Sequence, residues 1–138
     1  MRLEYFQMLD RIVDVNVDER VIRTACTIPK ANESPVFEGH FPGYPLMPGV
    51  LLIEAMAQTG GLLMSKSWDV DPEGKIILFM SVDNCRFRHP VRPGDILRLE
   101  VEVSRSRGDV VKFKGRGVVD GKLAAEAEFA AMLVDTRK

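Results

Sequence analysis

A long apolar segment in the middle of the chain constrains the fold more than any other feature. Residues 48–68 read PGVLLIEAMAQTGGLLMSKSW, with apolar side chains at almost every helical position. The segment lacks the alternation of polar and apolar residues that a half-buried strand shows. A helix that is apolar on all sides is a buried helix. The sequence therefore predicts one buried helix whose first turn contains Pro48, where the missing N–H costs nothing.

Strand patterns lie on both sides of this helix. Before it, segments 11–17 and 20–28 predict two strands joined by a turn near Asp18 and Glu19. After it, strand patterns occur in an apolar run at 75–82, in a separate segment at 84–91, and at 96–105, 110–119 and 123–134.

Alternation in the last two segments predicts which side chains face the core. One face of 110–119 carries Val111, Phe113, Gly115 and Gly117. One face of the final strand carries Leu123, Ala125, Ala127, Phe129, Ala131 and Leu133. The Asp-Gly pair in VDGK predicts a tight hairpin between these two strands.

These elements predict an α+β fold of five or six mostly antiparallel strands and one long helix. The sheet is expected to curl around the helix, and a second copy of the chain to cover what the sheet leaves exposed. The chain has 138 residues, of which 46% are hydrophobic and 28% charged. These values are typical of one globular domain, here 1–138, with a hydrophobic core.

Glu54 is the one acidic residue of the apolar segment, and His40 precedes it in a loop rich in proline and glycine. An isolated ionised carboxylate is costly in apolar surroundings, so a use for Glu54 is expected. Burial favours the protonated form, which makes Glu54 a candidate acid. Gln58 lies one helical turn further on the same face and could orient that carboxyl group.

The loop that contains His40 ends at the start of the predicted helix, whose first backbone N–H groups, at Gly49 and Val50, have no helical acceptors. Together with the helix dipole they favour negative charge. A base, an acid and oxyanion donors are the groups needed to remove a proton next to a carbonyl. Two other interpretations stay open on the residues alone: a structural histidine, and a Glu54 that pairs with an arginine of a strand.

The motif GHFPGYPLMPGVLLIEAMAQ resembles the signature of the (3R)-hydroxyacyl-acyl carrier protein dehydratases of type II fatty acid synthesis, the FabZ class of hotdog folds. The resemblance continues in RFRHPVRPGDIL at 86–97 and FKGRGVVDGKLAAEAEF at 113–129, and covers about two-thirds of the chain. The sister dehydratase/isomerase class is less similar, because it carries Asp where Glu54 stands.

The resemblance implies that His40 and Glu54 are the catalytic pair. His40 would remove the C2 proton, backbone N–H groups near Gly49 and Val50 would hold the enolate oxygen, and Glu54 would protonate the leaving hydroxyl. It also implies a hotdog homodimer, or a trimer of dimers, whose sites take His from one subunit and Glu from the other. This chemistry needs no metal or redox cofactor. Candidate linings of an apolar tunnel for the acyl chain are Phe41, Leu46, Met47, Met56, Phe79, Met80 and Phe87, of which most are expected to belong to the core and two or three to touch substrate.

Charge is unevenly distributed, although the net charge is only −1. Residues 86–116 hold nine Lys/Arg and four Asp/Glu. Because acyl carrier proteins are acidic, Arg86, Arg88 and Arg92 are the predicted docking residues. A solvated outer face of the strands is the other interpretation of these charges. No pattern points to a nucleic acid.

One departure from the family concerns residues 3–13, LEYFQMLDRIV, where typical members carry a stretch like PHR-PFLLVDR. This departure suggests a specialised paralogue, for example one that serves the very long or hydroxylated acyl chains of lipid A. Two alternative functions also remain: a hotdog acyl thioesterase, and a non-catalytic acyl-binding hotdog protein.

The two cysteines, Cys26 and Cys85, lack metal-binding spacing and predict no disulfide framework. They are expected to be reduced, half-buried residues of a cytoplasmic protein. The N-terminus shows no signal peptide. Residues 46–64 are long enough for a membrane span, but Glu54, Gln58, Pro48 and three glycines argue against membrane insertion.

Overall fold

The computed structural model describes residues 9–28, 49–67 and 75–135. The described residues form one helix, α1 (Gly49–Ser67), and six strands. The strands are β1 (Arg11–Asn16), β2 (Val21–Thr27), β3 (Lys75–Phe87), β4 (Ile96–Arg107), β5 (Val110–Val119) and β6 (Lys122–Asp135). The predicted elements are confirmed, except that the two segments at 75–82 and 84–91 are joined in one long strand.

All six strands pair antiparallel in one sheet, in the order β1-β2-β4-β5-β6-β3. The hairpin between β5 and β6 turns at Asp120 and Gly121, which have φ angles of 50° and 77°. Two consecutive positive φ angles are typical of the tight turn that the Asp-Gly pair predicts. β1 and β3 lie at the two edges of the sheet.

β3 remains one continuous strand because local irregularities accommodate the changes in its register with β6. Its pairing with β6 shifts between Phe79 and Ser81 and again between Asp83 and Arg86. Asn84 has a φ of 50°. Such bulges add residues to one strand and increase its twist without ending the pairing. From sequence, Asp83 and Asn84 resemble a break between two strands, since both residue types are common in turns.

The core lies between α1 and the inner face of the sheet. Leu52, Met56, Leu63 and Met64 of the helix are buried there, and Phe113 and Phe129 stack with their ring centroids 5.1 Å apart. A side chain at Gly115 would meet Met56 and Phe129 at 3.1 Å. The helix therefore lies close to the sheet because this strand position is a glycine.

A buried pair of hydroxyl groups fixes the helix on the sheet. Thr24 of β2 and Thr59 of α1 are both fully buried, and their Oγ1 atoms lie 2.9 Å apart. Thr59 Oγ1 also donates to the carbonyl of Ala55 at 2.9 Å. Thr24 is then the donor to Thr59, and both buried hydroxyls have a partner, as buried polar groups normally do.

Within the single chain the sheet covers only part of the helix, and the cover that a second copy is expected to supply stays a prediction. One face of α1 packs on the sheet, but Glu54 on the opposite face is exposed, and Ala57 and Gln58 are half-buried. The sheet covers only one side because one layer of strands curls around a helix without enclosing it. Among the described residues, no helix is long and apolar enough to cross a membrane.

Candidate active site

The carboxyl group of Glu54 lies in the second turn of α1, and it has a hydrogen-bond partner on the same helix. Gln58 Nε2 donates to Glu54 Oε1 at 3.1 Å. Residues four apart lie on the same helix face, and this spacing predicted the contact. The amide can therefore hold one carboxyl oxygen in place and leave the other for a substrate.

The exposure of Glu54 corrects the sequence-based picture of a carboxyl group sunk in apolar surroundings. The apolar residues that flank it in sequence, Ile53 and Ala55, lie at other angles around the helix, so they do not enclose it. Ala55 is fully buried, whereas Glu54 faces away from the sheet. Any apolar environment for this carboxyl group has to come from outside the described part of the chain.

The start of α1 is shaped by a close contact between Gly49 and the ring of Phe87. A Cβ atom at Gly49 would lie 2.7 Å from Phe87 Cζ, which explains why this position is a glycine. The first turn of α1 carries no acidic residue. Its unpaired backbone N–H groups are therefore not neutralised by a carboxylate of their own turn.

His40 and Phe41 lie outside the described residues, as do Leu46 and Met47. The catalytic role of His40 and the lining role of Phe41 stay predictions. Val50 is described only as part of the helix backbone, which is the part that the predicted oxyanion site requires.

A cavity of about 350 Å³ lies beside the uncovered face of α1. Of the described residues, Leu9, Gln58, Gly61 and Leu62 line it. Sequence reasoning had singled out Gln58 but not the other three. The sequence could have indicated Gly61, because it follows Glu54 by seven residues and therefore lies on the same face of the helix.

The predicted tunnel residues fall into two groups. Met56 is fully buried against the sheet glycines, so it is one of the candidates that belong to the core. Phe79 and Phe87 pair with Ala131 and Ala125 on the inner face of the sheet, yet they are 42% and 54% exposed. These rings belong to an apolar inner surface of β3 that α1 covers only in part, since Phe87 contacts the start of the helix at Gly49. Met80 lies at a bulge and is exposed.

The predicted docking arginines are all exposed. Arg86 pairs in register with Glu126 on β6, and Arg88 Nη2 lies 3.3 Å from Glu126 Oε1. The Arg92 backbone N–H donates to Asp95 Oδ2 at 2.8 Å, which closes the turn before β4. Because Glu126 partly neutralises Arg88, this surface is less basic than the sequence count indicates.

The cysteines differ from each other. Cys26 is 2% exposed in the core, and burial raises the pKa of its thiol to about 11. Cys85 is exposed on β3, so the expectation that it is half-buried is wrong. Both are free thiols, as predicted. Cys85 lies in the second irregular stretch of β3, where alternation no longer tells which way a side chain points.

Solved structures with this architecture identify the fold class. One is the dehydratase heterocomplex ApeI:P from Xenorhabdus doucetiae, with a TM-score of 0.74, 16% identity, and coverage of 95% of this chain and 85% of that one. Another is a putative thioesterase from Ralstonia eutropha, with a TM-score of 0.68, 20% identity, and coverage of 88% and 83%. At these identities the likeness concerns the fold alone. A curled antiparallel sheet around one helix is the hotdog fold.

Proteins with similar sequences show to which family within the hotdog fold the chain belongs. A family model described as a FabA-like domain matches residues 2–128. The 3-hydroxyacyl-(acyl-carrier-protein) dehydratase FabZ of Caulobacter vibrioides is 60% identical, over 95% of this chain and 80% of that protein. The enzymes of the same name from Paramagnetospirillum magneticum and Campylobacter jejuni are 50% and 46% identical, over 96% and 94% of this chain and 80% and 88% of theirs. The chain belongs to the FabZ family of FabA-like hotdog proteins.

Proposed function

We propose that this protein dehydrates (3R)-3-hydroxyacyl-acyl carrier protein to the trans-2-enoyl thioester in type II fatty acid synthesis. The observation that carries the proposal is the Glu54–Gln58 pair on the uncovered face of α1, next to a cavity, in a chain of the FabZ family. A helix-borne carboxyl group held by an amide and open to a substrate is suited to proton transfer.

In this mechanism His40 takes a proton from C2, and the electrons of that C–H bond form the C2–C3 double bond. Negative charge develops on the thioester oxygen, which the backbone N–H groups of Gly49 and Val50 stabilise. The C3–O bond breaks, and protonated Glu54 gives its proton to the departing hydroxyl, which leaves as water. Gln58 keeps the Glu54 carboxyl group oriented toward C3.

The site is proposed to be shared between two copies of the chain, with His40 from one and Glu54 from the other. β3 supports this arrangement, because it is a 13-residue edge strand with exposed apolar side chains at Leu78, Phe79, Met80, Val82 and Phe87. A long apolar edge strand pairs readily with another strand. A second copy would also cover the open face of α1 and supply the apolar surroundings that Glu54 lacks in one chain. A trimer of such dimers is the proposed larger assembly.

The direct test is a dehydration assay on a 3-hydroxyacyl thioester, followed by the absorbance of the conjugated enoyl product. We expect the absorbance to rise without release of free thiol. Thiol release without the absorbance change would indicate the thioesterase alternative. Tight binding without either change would indicate a non-catalytic acyl-binding protein.

Carrier-protein docking is proposed at Arg86, Arg88 and Arg92, near the end of β3. Arg88→Glu and Arg92→Glu should each raise KM for the carrier-bound substrate by about tenfold, because they replace attraction to an acidic partner by repulsion. The Arg88–Glu126 pair is exposed, so its loss costs only about 0–1 kcal/mol of stability.

The control is Arg98→Glu, the same charge change at an exposed residue of β4, three strands away from β3 in the sheet. KM for a small thioester should stay unchanged in all three variants. Equal effects on the carrier-bound and small substrates, or an equal effect of Arg98→Glu, would contradict docking at Arg88 and Arg92.

We further propose that the chain forms a single hotdog domain and acts in the cytoplasm. The two free thiols support a reducing compartment. We propose that the acyl chain lengths accepted by the site decide the pathway of the protein. That pathway is either general fatty acid synthesis or a specialised one such as lipid A synthesis.

A further inference from the structure

α1 contains two adjacent glycines, Gly60 and Gly61. Contacts with the other described residues explain why the first is a glycine, but not why the second is. A Cβ atom at Gly60 would lie 3.0 Å from Phe129 Cε2, so the close approach of helix and sheet requires this glycine. Of the atoms in the described part of the chain, a Cβ atom at Gly61 would meet only Ile77 Cδ1, at 3.9 Å. Glycine in a helix interior is unfavourable relative to alanine. The described residues therefore leave room for a side chain at 61, which would favour the helix.

Gly61 lies on the face of α1 that carries the proposed catalytic carboxyl group. Glu54, Gln58 and Gly61 are spaced i, i+4 and i+7, which places them in one row along the helix. The row extends about 10 Å from Glu54 to Gly61 at 1.5 Å per residue. Gln58 belongs both to this row and to the lining of the 350 Å³ cavity, and its side chain donates to the Glu54 carboxyl group, so the cavity lies one side chain away from that carboxyl group.

The chemistry of the cavity indicates what it accommodates. Besides Gln58, its described lining consists of Leu9, Gly61 and Leu62, which present only apolar groups and bare backbone. An open, mostly apolar cavity with one polar side chain in its described lining is suited to an apolar group of a small molecule. An apolar chain whose reactive end lies at Glu54 would pass Gln58 and reach this cavity with its distal part.

We propose that Gly61 is a specificity-determining residue whose missing side chain leaves room for the distal part of the substrate's acyl chain. This inference rests on the proposed function, because it takes Glu54 as the reacting end. Short acyl chains end before they reach Gly61, whereas longer chains pass over it. A side chain at position 61 would therefore shorten the space for the acyl chain without touching the reacting atoms.

The test compares Gly61→Ala and Gly61→Leu with the neighbouring control Gly60→Ala. Dehydration is measured on 3-hydroxybutyryl- and 3-hydroxydecanoyl-acyl carrier protein, and the result is the ratio of kcat/KM for the longer chain to that for the shorter. Gly61→Leu should lower this ratio at least about tenfold, the scale of excluding a few methylene groups from an apolar pocket. Gly61→Ala should lower it less, with a Tm at or above that of the wild type.

Gly60→Ala should instead lower Tm, because its Cβ meets Phe129, and leave the ratio unchanged. An unchanged ratio in Gly61→Leu, or an equal loss for both chain lengths, would overturn the proposal. Sedimentation is measured in parallel. Dissociation of the Gly61→Ala and Gly61→Leu variants into monomers would assign Gly61 to a contact between copies and would also overturn it.

A binding experiment tests the role of Gly61 independently of whether the protein catalyses dehydration. Dissociation constants of butyryl- and decanoyl-pantetheine thioethers, which cannot react, are compared by calorimetry in the wild type and in Gly61→Leu. A selective loss of decanoyl affinity would support the role of Gly61 even if the wild type showed no dehydration. Equal affinities in the two proteins would contradict that role whether or not dehydration occurs.

Discussion

Replacing Glu54 by Gln is expected to lower kcat for dehydration by about 10²–10⁴-fold, because the amide has no proton to give to the leaving hydroxyl. The side chain is exposed in the single chain, and its described hydrogen bond is to Gln58 on the same helix. The substitution should therefore leave Tm nearly unchanged. Initial rates of enoyl formation and thermal unfolding, measured on the same preparation, test both statements.

The matched control is Glu102→Gln, the same chemical change at an exposed glutamate of β4. It should leave kcat at the wild-type value. A Glu54→Gln variant that retained more than a tenth of the wild-type kcat would exclude Glu54 as the general acid.

The same variant also tests whether the site is shared between subunits. His40→Ala and Glu54→Gln are expected to be inactive separately. After unfolding and refolding of an equal mixture, half of the dimers contain one copy of each variant, and each mixed dimer has one site with both groups intact. Activity should return to about a quarter of the wild-type value if each site takes one group from each copy. No recovery in dimers shown to be mixed would place both groups in one chain.

Phe113→Ala is expected to cause the largest loss of stability, about 3–5 kcal/mol. Phe113 is fully buried, and its ring stacks on the ring of Phe129. Phe129 in turn packs against α1 at Gly60. Truncation would leave a cavity directly beneath the helix. Urea unfolding should show a lower midpoint with an unchanged slope, since the surface exposed on unfolding stays similar.

Phe79→Ala is the comparison for this variant. Phe79 also contacts Phe129, with ring centroids 5.8 Å apart, but its side chain is 42% exposed on β3. In the single chain it removes less buried surface, so the loss should be clearly smaller than for Phe113→Ala. Equal losses for the two variants would show that Phe79 is buried as fully as Phe113 in the assembled protein, which would assign it to a contact between copies.

Much of the architecture could be predicted from local patterns. The alternation in β5 and β6 correctly assigned Phe113 and Phe129 to the inner face, because successive side chains of a strand point to opposite faces. The turn at Asp120 and Gly121 was predictable because few residue pairs accept two positive φ angles. The contact between Gln58 and Glu54 followed from helical spacing.

Other features depended on how distant segments pack. The exposure of Glu54, the burial of Met56 and the continuity of β3 through its irregularities were not predictable, because each depends on where the sheet lies relative to the helix. The hydrophobicity of α1 predicted that all its faces would be in contact with other parts of the protein. It did not predict which face would pack on the sheet of the same chain.

The sequence by itself determined the elements, the facing of the strands and the carboxylate–amide pair, since these follow from backbone periodicities of 3.6 and 2 residues. Only the tertiary structure decided that Glu54 lies on the open side of α1 and that Gly61 has space above it while Gly60 does not. The physical reason is that two adjacent residues of a helix point about 100° apart, so the position of the sheet decides which one packs and which stays open.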